Sequence, residues 1–476
     1  FGSRPPRPIA ASRLAAWMAS AQQRRQVAPS GDALAPGSGG EDADDDSDDD
    51  DAENPPIGAT TAVASSDIHS LRFPFGMLRT LGMAAVVAFH YYKHEGNPAS
   101  RLDRALMWCG TWVSFFFLLS GFVLGWQAMR PGKGNLPLSA FMRRRLATVY
   151  PVYFLSILCA VCDRSAHVSA YGLRALPAYL TLTQALYPPW CELWTAGTNN
   201  YNTPAWFLST LMVGWLLLPS LARLANSWLR GPRHCLFAAL LLYLLGPCSV
   251  QVYIKRHKMK TWLDTCPPAS CSTPWLKFHP ISHLPTFALG VVGARWLQLL
   301  CQQGGSKSGR LLRQRLPILA QHGTVIGLLG FLLIMMYVPM TGSTDTTWFT
   351  GPVGWFFFWH SGGLAPLFWL LILGGVDAAL SPDDSCSCGL RGFWEALGNQ
   401  SYAMYVLQQW TVSMLERTIM GVATLSTWDE KEKYKLRALP FALLAVGYLS
   451  HHYVEVPYSR FILGADEGKK PGAANA

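Results

Sequence analysis

Long apolar stretches alternate with short polar ones along most of this chain. The apolar stretches are roughly 20 residues long, the length that an α-helix needs to cross a hydrocarbon layer of about 30 Å. This pattern predicts an all-α fold, a polytopic membrane bundle of about ten transmembrane helices. The predicted helices span approximately residues 74–92, 106–127, 142–162, 204–226, 235–254, 281–301, 317–339, 353–380, 400–421 and 437–457.

A shorter stretch, LPAYLTLTQALYPPW at residues 176–190, ends in prolines and predicts an interfacial or re-entrant segment. Ten spans place both termini on one side of the membrane. The basic loop with Arg130, Lys133 and the arginine run 143–145 favours the cytosol for that side. The preference is small, because the opposite loops include the basic segment IKRHKMK at 254–260.

The first 70 residues differ in composition from the rest. An Arg- and Ala-rich start without acids is followed by EDADDDSDDDDAE at 41–53, and such a self-repelling run predicts a disordered tail. The acid-poor start is also compatible with part of an organelle transit peptide. We therefore expect three parts: a disordered N-terminal tail at 1–70, a membrane domain at 71–462 and a short flexible tail at 463–476.

The balance of charge changes once the acidic tail is set aside. Half of the chain is apolar and only 14% of it is charged, less than is typical of a soluble enzyme. Residues 1–71 hold 5 Lys and Arg against 12 Asp and Glu, so the remainder carries a net charge of +17. Basic loops of this kind suit anionic lipid headgroups, and equally an anionic cofactor.

Two polar residues lie in the first predicted helix, within RTLGMAAVVAFH at 79–90. Eleven helical steps turn about 1100°, three turns plus roughly 20°, so Arg79 and His90 share one face about 16 Å apart. A buried arginine in a membrane costs several kcal/mol unless it is paired, hydrated or near an end. Arg79 lies near the start, so snorkelling to the interface is one explanation. The shared helix face favours a functional explanation for both residues.

The following segments carry a series of motifs. FFFLLSGFVLG lies on the second predicted helix, RRRLATVYPVY opens the third, and VEVP closes the last. With an arginine, ten residues and a histidine on the first helix, the series resembles the acyltransferase-3 family of integral-membrane O-acyltransferases, which modify sugars, glycans and other acceptors. The resemblance is collinear from about residue 71 to 462.

This resemblance implies an acyl-CoA donor that enters from the cytosol and a carbohydrate or other small hydroxylated acceptor on the far side, with acetyl as the expected acyl group and no metal. It assigns proton abstraction to His90, since an imidazole with an unperturbed pKa near 6.5 is a suitable base. Arg79 is assigned to the CoA phosphates or the pantetheine arm. Further donor-site candidates are Arg143, Arg144, Arg145, Tyr150 and Ser120, and substrate-cavity candidates are Trp206, Ser209, Tyr405, Gln408 and Glu455.

Several of these candidates also have simpler explanations. The arginine run 143–145 is compatible with ordinary anchoring at the inner membrane face. Ser120 precedes a glycine and is as compatible with close helix packing as with a hydrogen bond in the cavity. His451 and Glu455, four residues apart, could form an ion pair or orient a substrate.

The chain departs from the family pattern at four positions. Thr148 occupies the place of a second arginine, Leu211 and Met212 replace two acids, and Gln408 stands where a histidine is common. These departures put the acceptor contacts in doubt and leave an inactive homologue as an alternative. A non-catalytic transporter or permease is the main rival, since polar residues inside spans and basic loops suit it equally. A structural membrane protein would leave the one-faced arginine and histidine unexplained.

Cysteine and histidine positions add little chemistry. Cys191, Cys266 and Cys271 lie in predicted outer loops, where an oxidising compartment would let them pair. Cys159 and Cys162 lie inside a span, which favours packing over a redox or metal site. His279 and His283 flank a proline without an evident third ligand, so no metal site is predicted.

Overall fold

The computed structural model describes residues 72–92, 101–130, 137–163, 176–186, 201–256, 277–301, 314, 316–338, 358–380, 388–420 and 428–467. Across these residues the protein is all-helical. The helices are α1 Arg72–Tyr91, α2 Arg101–Cys109, α3 Trp112–Ala128, α4 Leu138–Asp163, α5 Trp206–Trp228, α6 Pro232–Arg256, α7 Pro280–Cys301, α8 Pro317–Tyr337, α9 Ala365–Leu380, α10 Cys388–Met420, α11 Trp428–Ser450 and α12 Val456–Glu467. The predicted tail at 1–70 and the cysteines at 191, 266 and 271 lie outside the described residues.

Four stretches are long and apolar enough to cross a membrane: Ala105–Ala128, Leu138–Cys162, Thr203–Trp228 and Pro232–Arg256. They correspond to the second to fifth predicted spans. Shorter apolar helices cover Gln321–Tyr337 and Ala365–Ala378. Each other predicted span overlaps a helix in the described residues. The membrane character is therefore supported, and the count of ten spans remains a prediction.

Helices α1 and α10 run parallel and pack along most of their length. A Cβ on Gly398 would lie 2.3 Å from the Cα of Gly76, so a side chain at this crossing would force the helices apart. Further along both helices, His90 contacts Gln408. Helix α11 runs antiparallel to this pair, because the Tyr92 hydroxyl donates to the Leu436 carbonyl at 2.5 Å, whereas Gly447, later on α11, packs against Gln400 and Met404, earlier on α10. The residues that follow α11 therefore return to the end of the bundle where Arg79 lies.

Helices α3 and α7 form the closest contact in the bundle. A Cβ on Gly121 would lie 1.9 Å from the Phe287 carbonyl oxygen, and a Cβ on Gly290 would lie 2.2 Å from that of Leu118. Small residues at such crossings let membrane helices approach closely. The glycine of the SGF motif therefore serves packing. Ser120, beside it, remains able to face a cavity.

The segment 176–186 packs against α4 and α5. It begins as a helical turn at 176–180 and continues as irregular turns, with Tyr179 and Leu182 buried. The Tyr153 hydroxyl donates to the Tyr179 carbonyl, and the Ser209 hydroxyl accepts from the Ala185 N–H at 3.0 Å. These bonds satisfy backbone groups that lie outside regular helix. Whether the segment is interfacial or re-entrant remains a prediction.

Two turns interrupt the bundle: a kinked turn at Trp359–Gly363 before α9, which has non-helical dihedral angles at Ser361 and Gly362, and a π turn at His451–Glu455 after α11. In the first turn Gly362 has a φ of +108°, a conformation that L side chains rarely adopt. Non-helical backbone at membrane depth is tolerated only where protein or a cavity surrounds it. His360, Ser361 and the two glycines are all buried, as this rule requires.

Candidate functional site

Two adjoining cavities, together called the arginine cavity, lie among α1, α3, α4, α5, α10 and the π turn after α11. Their volumes are about 360 and about 580 Å³. Together they are large enough for a small-molecule or cofactor site. The residues that line both are Arg79, Phe116, Ser120, Arg145, Asn399 and His451.

The arginine cavity contains two arginines and one acid. The Nε of Arg79 donates to the Phe75 carbonyl within its own helix at 3.3 Å. The Arg145 guanidinium lies 5.6 Å from the centre of the Phe141 ring. Its Nε is buried and has no hydrogen-bond partner in the part of the chain that the structure describes. Since buried charged donors need hydrogen-bond partners, this lining suits an anionic ligand.

The carboxylate in the cavity belongs to Glu455, on the π turn that follows α11. Its Oε2 lies 3.0 Å from His451 Nδ1, so the i, i+4 pair expected from the sequence forms. Both residues line the cavity. With one acid against two arginines, the lining retains a positive charge, which favours an anionic ligand.

Three aromatic rings pack together along one side of the smaller cavity. The centroids of Phe116 and Phe207 are 6.1 Å apart, those of Phe207 and Tyr405 5.7 Å, and those of Phe116 and Tyr405 6.5 Å. We call these three residues the aromatic triad. The Tyr405 hydroxyl donates to the Pro204 carbonyl at 2.8 Å, which fixes its ring. Tyr405 lies one helical turn before Gln408, so the triad lies on the His90 side of the cavity.

His90 lies outside the arginine cavity, towards the other end of α1. Its Nδ1 is 3.0 Å from Gln408 Oε1, and the amide nitrogen of Gln408 donates to the Tyr405 carbonyl at 2.8 Å. The ring also contacts those of Phe89 and Tyr91, at centroid distances of 5.5 and 5.9 Å. Arg79 and His90 thus lie at two separate places along one face of α1.

The structure brings some sequence candidates together and separates others. Ser120, Arg145, Tyr405 and Glu455 line the arginine cavity with Arg79. Arg143 and Arg144 are exposed on α4 and are not among the lining residues. Of the run 143–145, the described cavity therefore uses Arg145 alone, since helical geometry turns its neighbours about 100° and 200° away.

Three further candidates are not among the residues that line the arginine cavity, and they make structural contacts instead. The Tyr150 hydroxyl donates to the Leu180 carbonyl at 2.9 Å, and Ser209 binds the backbone of the segment 176–186. Trp206 packs among rings that include His283 and His360. These three side chains hold elements around the site.

The departures from the family motifs coincide partly with the cavity. Thr148 and Leu211 both line it, and Thr148 donates its hydroxyl proton to the Arg145 carbonyl at 2.9 Å. A second arginine at 148 would add charge there, and an acid at 211 would remove it. The cavity lining of this chain therefore has fewer charged side chains at these positions than the family pattern has.

The sequence analysis gave no site role to Asn399 or to a buried histidine pair, and it left His451 with either an ion pair or the orientation of a substrate. His283 and His360 are almost fully buried, with ring centroids 5.4 Å apart, and His283 Nε2 lies 2.8 Å from the Lys277 carbonyl. The two residues are 77 positions apart in the sequence, so no local pattern could join them. No group of three metal-ligating side chains occurs among the described residues.

The fold and the site together define the class of protein. It is a helical membrane protein with a positively charged internal cavity and a histidine beyond that cavity. The family profile described as an acyltransferase domain, acyltransferase-3, matches residues 75–450. The chain therefore belongs to the acyltransferase-3 family.

Among curated proteins, acyltransferase MdmB of Streptomyces mycarofaciens is 32% identical over 158 residues. That match covers 31% of this chain and 38% of the relative, well under half of either. No solved structure matches the chain.

Proposed function

We propose that this protein is an integral-membrane O-acyltransferase that moves an acyl group, acetyl in the first instance, from acyl-CoA to a hydroxyl of a carbohydrate or other small acceptor. The observation that carries the proposal is the division of one helix face. Arg79 lines a positively charged cavity, and His90 lies about 16 Å further along the axis. An acyl-CoA donor has an anionic end, which needs the positively charged cavity, and a reactive thioester end, which needs the base.

The arginine cavity is the proposed donor site. Arg79 and Arg145 would bind the phosphate oxygens of CoA. The buried Nε of Arg145, which has no hydrogen-bond partner among the described residues, supports this role. Guanidinium groups match phosphate oxygens in a planar, two-pronged geometry. The proposed orientation places this end of the bundle at the cytosol, where both termini also lie, and the acceptor on the opposite side.

His90 is the proposed general base. It takes the proton of the acceptor hydroxyl while that oxygen attacks the thioester carbonyl carbon. The C–S bond then breaks, and the imidazolium returns its proton to the departing CoA sulfur. A positioned base gives roughly 10² to 10⁴ in rate for such a step, because a neutral hydroxyl is a poor nucleophile.

The aromatic triad lines the His90 side of the arginine cavity, and its proposed role is to limit the acyl group to a short one. Replacing Phe207 by leucine or alanine is expected to raise the ratio of kcat/KM for butyryl-CoA over acetyl-CoA. Two extra methylenes gain about 1.6 kcal/mol on burial, which corresponds to roughly tenfold. The exposed Phe237 on α6 provides the matched control, and an unchanged ratio in both Phe207 variants would remove the triad from acyl selection.

The first test of the proposal is CoA release by the purified protein in nanodiscs with acetyl-CoA. The expected result is thiol release that depends on a hydroxylated acceptor, with an acceptor product heavier by one acetyl group. A pool of mono- and oligosaccharides is the starting acceptor set. Release of CoA without a modified acceptor would indicate hydrolysis and contradict transfer.

The same nanodiscs separate the proposal from the transporter alternative. A permease would bind or move its solute without thiol release. Binding of acetyl-CoA together with no release across the acceptor pool would favour an inactive homologue. Neither binding nor release would favour the transporter.

A further inference from the structure

A single amide side chain determines which nitrogen of His90 can act as a base. We propose that Gln408 is a positioning residue that holds the proton of His90 on Nδ1, so that Nε2 is the nitrogen that accepts the acceptor's proton. This inference rests on the proposed function for its catalytic meaning, and its structural part stands independently. It assigns Gln408 a role different from the substrate contact expected from the sequence.

The orientation of the Gln408 amide follows from its second contact. Its amide nitrogen donates to the Tyr405 carbonyl oxygen at 2.8 Å. In the flipped orientation two oxygens would face each other at that distance, and a backbone carbonyl cannot donate a proton. The carbonyl oxygen Oε1 must therefore be the atom that faces His90.

The tautomer of His90 follows in turn. Oε1 is purely an acceptor and lies 3.0 Å from Nδ1, so Nδ1 must carry the proton in order to form the bond. In a neutral imidazole the other nitrogen then holds the lone pair. A carboxylate performs this role in serine hydrolases, where the wrong tautomer severely impairs catalysis.

The surroundings keep Gln408 in this position. Its side chain is fully buried, and the ring of Tyr405, one turn earlier on α10, is anchored through its hydroxyl to the Pro204 carbonyl. The backbone carbonyl that orients Gln408 therefore belongs to a residue that is itself held.

The test compares Gln408→Met with Gln408→Glu. Methionine has nearly the volume of glutamine but no strong acceptor, whereas glutamate retains an oxygen towards Nδ1 and, when protonated, both bonds. We expect Gln408→Met to lower kcat for acetyl transfer by about tenfold or more, because the hydrogen bond to His90 Nδ1 is lost, with KM for acetyl-CoA unchanged. Gln408→Glu is expected to retain most of kcat.

A merely structural role predicts the opposite order. A neutral methionine would then be tolerated in this buried place, and an ionisable glutamate would be the damaging change. Activity ranked Met above Glu would overturn the proposal. Gln409→Met is the matched control, since the Gln409 side chain accepts from the Thr203 N–H at 2.8 Å and is turned about 100° from Gln408 around α10; its kcat is expected to stay near the wild-type value.

A spectroscopic readout separates this inference from the proposed function. Histidine labelled with ¹⁵N gives different shifts for protonated and unprotonated ring nitrogens, and a His90→Gln sample identifies the His90 signals. A protonated Nδ1 in the wild type that is lost in Gln408→Met supports the inference even if no CoA release is found. A protonated Nε2 in the wild type would overturn it, whatever the activity.

Discussion

Replacing His90 by alanine is expected to lower kcat for acetyl transfer by about 10²- to 10⁴-fold, the range that a positioned general base contributes. The KM for acetyl-CoA should stay unchanged, because the arginine cavity does not include His90. Loss of kcat at constant KM is the signature of an interaction made in the transition state. Steady-state CoA release in nanodiscs measures both quantities.

The control for this prediction is His322→Ala, which removes an exposed imidazole on α8. Thermal unfolding and size-exclusion profiles should match the wild type for both variants. Acetyl transfer that survives in folded His90→Ala would exclude this residue as the base. The His451–Glu455 pair would then be the next candidate, since it lines the arginine cavity.

Helix geometry explains why the Arg79 and His90 relation was visible in the sequence. An eleven-residue separation returns to the same face of any α-helix, and α1 is helical from Arg72 to Tyr91. That relation depends only on local periodicity. The role of Ser120 stayed open in the sequence, because a small residue beside a glycine suits close helix packing as well as a hydrogen bond in a cavity.

The remaining parts of the site depend on contacts between distant segments. Arg143, Arg144 and Arg145 are indistinguishable as a charge run, and only the packing of α4 against α10 and α12 selects Arg145. Gln408 appeared as a departure from a family motif, while its meaning comes from a contact across 318 positions with His90. The pairing of helices carries information that hydropathy and motif spacing do not contain.

The same limit applies to the membrane itself. Hydropathy locates the apolar helices, and four stretches fulfil the demands of a membrane span by length and composition. Helix α1 carries Arg79 and His90, and α10 carries a charged first part. Functional helices depart from the ideal of a uniform apolar span because they face a polar cavity.

Replacing Arg79 by methionine is expected to weaken the binding of acetyl-CoA by about 10- to 100-fold, since a hydrogen bond to a charged group contributes about 1.5–3 kcal/mol. Arg145→Met should have a similar effect, because the two arginines line the same cavity. Arg79→Lys should recover part of the affinity, as a lysine keeps the charge and loses the planar geometry. Isothermal titration with acetyl-CoA measures all three.

Arg391→Met is the control for these variants. Arg391 lies on the surface of α10, where its Nε is 3.5 Å from Glu395 Oε1, and exposed ion pairs contribute little. If Arg79 and Arg145 bind one phosphate group together, the double variant should lose less than the sum of the two single losses, because each single change already breaks the shared site. Unchanged affinity in both single variants, with folding intact, would move the donor out of the arginine cavity and leave the positive lining without a ligand.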